Sequence, residues 1–74
     1  MDIMNHEQMI QRKAQVFLDE LSVVHLKLNN GTFYNGRLFE VTENYLVIHD
    51  REDGQKKIFL FEIKSINEYT EEEK

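Results

Sequence analysis

Three histidines, an acidic cluster beside a turn and a set of scattered cations are the groups in this 74-residue chain that could do chemistry. His6, His25 and His49 offer imidazoles, but no two are spaced as metal ligands along a helix or across a hairpin, so they read as structural residues. Asp50, Glu52 and Asp53 could hold a hard cation weakly, yet the chemistry of a tight turn explains them without one. Ser22, Ser65 and the threonines show no pattern pointing to a base partner, and no glycine loop of the phosphate-cradling kind is present. The expectation is a protein without catalytic residues, metal or cofactor. Binding chemistry remains. Asn44 and Tyr45 could form a small platform for a nucleic-acid base. Lys56 and Lys57, with Arg51 and Arg37, could position phosphates, or could solvate a hairpin and discourage edge-to-edge aggregation.

A hydrophobic share of 41% beside a charged share of 31% is a soluble globular balance, and the length allows one domain over 1–74. At this size a core supplies only a few kcal/mol, and without cysteine neither a disulfide nor a thiolate metal site can supplement it. Self-association is the staple that remains, so a homo-oligomer is expected. The net charge of −5 argues against a generic nucleic-acid binder, whose affinity comes from neutralising phosphates. Part of that charge lies in Glu71-Glu72-Glu73, read as a solvated tail, but the rest of the chain is still net negative. No apolar run is long enough for a signal peptide or a membrane span, so a cytoplasmic protein off the membrane is expected.

The elements that must position these groups follow from periodicity. Asn5 with Gln8 makes a capping-box pattern, and Ile10, Ala14, Phe17, Leu18 and Leu21 recur at spacings of three and four. An amphipathic helix over about 6–21 is predicted, its stripe widened by Met9 and Val16. That stripe either closes one end of a small barrel or docks on another protein. The period then changes to two: Val24, Leu26 and Leu28 share one strand face. Asn30-Gly31 reads as a type I′ hairpin turn. In the second strand, 32–41, Gly36 marks a sharp bend or a close backbone approach. Tyr45–His49 forms a third strand, Asp53-Gly54 a second hairpin and Lys56–Phe61 a fourth strand. Glu62-Ile63-Lys64 is a pivot into a fifth strand, Ser65–Tyr69. The fold class is mainly β: an N-terminal α-helix, then a strongly bent five-stranded antiparallel barrel over about 23–69, with an acidic tail at 70–74.

Within this order, Leu28-x-x-Gly31-x-x-Tyr34-x-Gly36-x-Leu38 resembles the first half of the Sm1 motif of the Sm-like family (Sm, LSm and bacterial Hfq), a small barrel of SH3 type. The resemblance implies that the fourth strand of one copy pairs with the fifth strand of the next to close a ring. Phe59, Phe61, Ile63, Ile66 and Tyr69 would then form the oligomer interface. It also implies RNA contacts at the loop after the second strand, Asn44 and Tyr45, and at Lys64 in the loop before the fifth. The chain departs from the family pattern at both loops. Thr42 stands in the acidic slot, Asn44 in the stacking slot and Tyr45-Leu46 in place of Met-Asn; Glu62 replaces the second loop's Arg and Ile63 its Gly. The function implied is a non-enzymatic ring acting on single-stranded RNA as chaperone or scaffold. The alternative is a protein–protein assembly module that has lost RNA binding.

Overall fold

The computed structural model describes residues 5–70. A helix, α1 (His6–Asp19), precedes five strands: β1 (Val23–Leu28), β2 (Phe33–Val41), β3 (Tyr45–Asp50), β4 (Gly54–Phe59) and β5 (Ile63–Glu68). A 3-10 turn, Leu60–Glu62, joins the last two. The expected tail beyond Thr70 lies outside the described residues.

The capping box forms as its residues dictate. The Asn5 side chain accepts from the Gln8 backbone N–H at 2.8 Å, and Gln8 Oε1 accepts from the Asn5 N–H at 3.1 Å. The far end comes two residues before the expected 21, because Leu21 adopts a left-handed backbone, φ 57°. Ser22 N–H then reaches the Phe17 carbonyl and Leu21 N–H that of Leu18, which closes the helix in a Schellman arrangement usually built on glycine. Leu21 is therefore displaced from the apolar stripe and is exposed, as are Met9 and Val16. Ile10 and Ala14 alone on the helix are fully inside, with Phe17 and Leu18 packed at the margin. The helix lies against β2, β5 and the 3-10 turn, so its stripe covers this chain's own core.

The strands form one antiparallel sheet in the order β4-β3-β2-β1-β5. The sheet is open: β4 and β5 are its two edges and do not pair with each other, so of the expected bent barrel the structure shows a five-stranded antiparallel sheet under a helix, with the sheet not closed. Val24, Leu26, Leu28, Leu38, Leu46, Ile48 and Ile58 fill the covered face, completed by Leu60, Ile63 and Ile66. Two irregularities shape it. Between Leu38 and Glu40 the register against β3 slips, leaving Phe39 as an extra residue, and between Lys27 and Leu28 it slips against β5, leaving Lys64 extra. The first slip shifts the phase of the second strand. Leu38 points inward at 5% exposure and Phe39 outward at 55%, as alternation requires, but Glu40 is also exposed, opposite Val47, and Val41 packs on the core opposite Leu46.

The first hairpin differs from the expected type I′ turn. Gly31 N–H donates to the Leu28 carbonyl at 3.0 Å, so the turn is centred on Asn29 and Asn30, and neither has positive φ. Gly31 follows with φ 92° as the residue of a G1 bulge, the common three-residue hairpin loop. Asn30 Oδ1 accepts from the Thr32 N–H at 2.9 Å and fixes the loop. At the second hairpin β4 begins at Gly54 and ends at Phe59, earlier at both ends than the expected 56–61.

Candidate nucleic-acid interface

The loop between β2 and β3 is held from within by one hydroxyl. Thr42 Oγ1 accepts from the backbone N–H groups of Asn44 (3.1 Å) and Tyr45 (2.9 Å), and its own N–H donates to the Tyr45 carbonyl at 2.9 Å. This is local threonine chemistry of the turn-forming kind, and Thr42 serves here as a scaffold residue. From the helix, Gln11 Nε2 donates to the Thr42 carbonyl at 3.1 Å. The Leu60 N–H donates to the Asn44 carbonyl at 2.9 Å, tying the loop to the 3-10 turn.

Asn44 is thereby presented to solvent with its amide side chain exposed, and Tyr45 beside it is half-buried. Tyr45 is opposite Phe59 in register, and the rings meet edge to face at 6.1 Å. Lys57 Nζ lies 4.3 Å from the Tyr45 ring centroid and 5.6 Å from that of Phe59. Such a cation over an aromatic face offers both charge and a stacking surface. Lys57 therefore joins Asn44 and Tyr45, a grouping the sequence signals only through the β3–β4 register.

Lys64 is elsewhere. It is the exposed bulge residue of β5, and in the sheet two strands, β2 and β1, stand between β5 and β3. The four cations read as one phosphate patch also separate. Lys56 and Lys57 line a cleft with Glu40 and Val47, whereas Arg37 and Arg51 line a groove on the central strands. Leu46 is fully buried and Ile63 likewise, so neither presents a side chain to a ligand. The Glu62 carboxylate turns back toward the Phe59 N–H at 3.4 Å, and the carbonyls of Phe61 and Glu62 accept from Asn29 of the first hairpin at 3.1 and 2.9 Å. The second loop is thus occupied with holding the hairpin tip. No protein-family model and no curated protein matches this chain.

Of the five residues read as an oligomer interface, Ile63 and Ile66 are fully buried in this chain's own core. Phe59 and Phe61 are exposed and stacked on each other, centroids 5.8 Å apart at 17°. Tyr69 is half-buried, with the Arg51 guanidinium 5.7 Å from its ring.

The histidines each have a local partner. His6 Nε2 donates to the Ile63 carbonyl at 3.0 Å, His25 Nδ1 shares a 2.6 Å hydrogen bond with Asn35, and His49 stacks on Phe39. Among the described residues, no three His, Asp or Glu side chains are grouped to hold a metal ion. Asp50, nearly buried, is instead the cap of the second hairpin: it accepts from the N–H groups of Glu52 (2.9 Å), Asp53 (2.9 Å) and Asn35 (3.1 Å). Burial works against its charge, but the N–H groups of Asp53, Glu52 and Asn35, with Lys56 nearby, prevail and hold its carboxyl below the ordinary 3.8. A carboxylate whose folded pKa is depressed stabilises above the unfolded value, and that contribution is lost as pH falls through the folded one. Asp50→Ala is therefore expected to cost about 1.5–3 kcal/mol in urea unfolding at neutral pH. Below the ordinary carboxylate range the gap to the unsubstituted chain should narrow. An equal gap at both pH values would show that the carboxylate's charge is irrelevant to the turn.

Proposed function

We propose that this chain is a non-enzymatic, ring-forming protein of Sm-like type that holds single-stranded RNA as a chaperone or scaffold. The observation carrying this reading is the strand order, which leaves β4 and β5 as the two free edges of one antiparallel sheet. An open edge presents unpaired N–H and C=O groups, and joining β4 of one copy to β5 of the next satisfies both rows at once. Such a contact is head-to-tail, so repeated rotation closes a ring. Phe59 and Phe61, exposed where β4 runs into the 3-10 turn, supply the apolar cover. Asn44, Tyr45 and Lys57 then repeat around the ring as a base-stacking and phosphate-contacting set, with Lys64 contributing from β5.

A second reading is favoured by two specific placements. Leu46 is in the core and Glu62 is folded onto Phe59, so both positions serve structure and offer RNA nothing. On that reading the ring assembles proteins and binds no nucleic acid. Titration of oligo-U, oligo-A and mixed RNA over a range of salt, with the mass followed by light scattering, separates the two. The RNA reading expects a multiple of the chain mass and an affinity that falls steeply with salt. It also expects binding about ten-fold weaker in Tyr45→Ala. A multimer that ignores RNA at low salt leaves the second reading. A monomer that binds no RNA removes both.

A further inference from the structure

Away from the loops, the uncovered side of the sheet carries a groove of about 630 Å³, lined by Val23, Arg37, Phe39, His49, Arg51 and Tyr69, with Gly36 contributing no side chain to it. Cross-strand register builds it. Val23 opposes Arg37 and Arg37 opposes His49, so residues distant in the chain stand in one row across β1, β2 and β3. The Tyr69 N–H donates to the Val23 carbonyl at 2.8 Å, which brings a ring from the end of β5 to the end of that row. Phe39, two residues after Arg37 in the same strand, is on the same side and stacks on His49 with centroids 5.5 Å apart at 30°. Arg51, anchored by its N–H to the Asn35 carbonyl at 3.0 Å, lays its guanidinium over Tyr69.

Three flat rings and two permanently charged guanidiniums thus share one groove in a chain of net charge −5. An aliphatic occupant leaves the arginines unpaired, and a bare anion leaves the rings uncovered. A metal cation is repelled. The occupant that complements both must be a flat π-system carrying an anionic group, which guanidinium forks bind in bidentate fashion. We propose that this groove binds a nucleotide, its base stacked among Phe39, His49 and Tyr69 and its phosphate held by Arg37 and Arg51. The site is separate from the Asn44–Tyr45 loop and does not depend on RNA binding there. The nucleotide is either free or one unit of a strand.

The test is a titration of the full chain with AMP, ribose 5-phosphate, inorganic phosphate and a single-stranded oligonucleotide, read by backbone amide NMR. AMP is expected to shift the amides of Val23, Arg37, His49 and Tyr69, with ribose 5-phosphate and phosphate binding about ten-fold more weakly or worse. Phe39→Ala and Arg37→Gln, both at exposed positions, should each weaken AMP by about ten-fold. Should either variant fail to fold, the other carries the comparison. Oligonucleotide binding tighter than AMP at the same amides assigns a strand as the source; equal affinity assigns the free nucleotide. Phosphate binding as well as AMP, AMP affinity unmoved by both variants, or no shift at millimolar AMP would each overturn the proposal. RNA that shifts Asn44 and Tyr45 while the groove stays silent overturns it too, and leaves the loop reading standing.

Discussion

Gly36→Ala should leave the chain largely unfolded at room temperature. A Cβ added at this position would sit 1.9 Å from the carbonyl oxygen and 2.8 Å from the carbonyl carbon of His49 on the neighbouring strand. Both are backbone atoms inside a sheet, so no side-chain rotation relieves the clash. The strands β2 and β3 must separate, and with them the pairing of Gly36 to Asp50 and Arg37 to His49. Forced overpacking of this kind costs roughly 3 kcal/mol or more, comparable with the whole stability that a chain of this size draws from its core. Gly31→Ala gives the internal comparison. Nothing lies within 4 Å of a Cβ there, and the penalty is only that of a left-handed backbone at φ 92°, roughly 1–2 kcal/mol. Circular dichroism and urea unfolding of the two variants should rank Gly36→Ala far below Gly31→Ala. Equal midpoints would mean that the two strands can part at little cost.

Leu38→Ala should lose about 2–4 kcal/mol in urea unfolding, while Phe39→Ala changes stability by less than about 0.5 kcal/mol. The two residues are neighbours in one strand and the larger side chain is the one expected to matter less. The reason is strand alternation: Leu38 is 5% exposed within the core cluster, and the next residue, Phe39, is 55% exposed on the opposite side. A reversed order would mean that Phe39, and not Leu38, faces the core. The same measurement establishes whether Phe39→Ala is a clean probe of the outer groove.

Local chemistry was readable in the sequence wherever a residue acts on its immediate neighbours. Asn5 and Gln8 cap each other across three residues, and nothing distant alters that geometry. Gly36 was readable as a close approach, but the atom it makes room for, the His49 carbonyl, depends on a register that only the folded sheet sets. Asn30-Gly31 marked the hairpin correctly and the turn type wrongly. The same dipeptide serves a type I′ turn or a type I turn with a bulge, according to whether Asn30 takes the first central position or the second. The alternation of Ile58 and Leu60 predicts a fourth strand reaching Phe61 because it continues through the 3-10 turn, where Leu60 still points into the core. The helix ends before the apolar stripe does because Leu21 fills a left-handed position that glycine usually announces. The groove was illegible for a different reason: its six side chains come from β1, β2, β3 and the two segments that follow β3 and β5, with no common spacing.

The pairing of β1 with β5 also governs the order in which the molecule can be made. β1 through β4 are linked by short hairpins and loops, contacts that form quickly because little chain must be ordered to reach them. Val24 pairs with Glu68 and Leu26 with Ile66, closures that span most of the sheet-forming sequence. Until β5 arrives, Val24, Leu26 and Leu28 have a partner strand on one side only, and neither Ile63 nor Ile66 is present to pack on them. On the ribosome, the hairpins can flicker into existence as they emerge, but the cooperative core waits for Ile66 to leave the exit tunnel. Folding of the sheet is therefore completed from its C-terminal side, β5 being the strand that completes the interior.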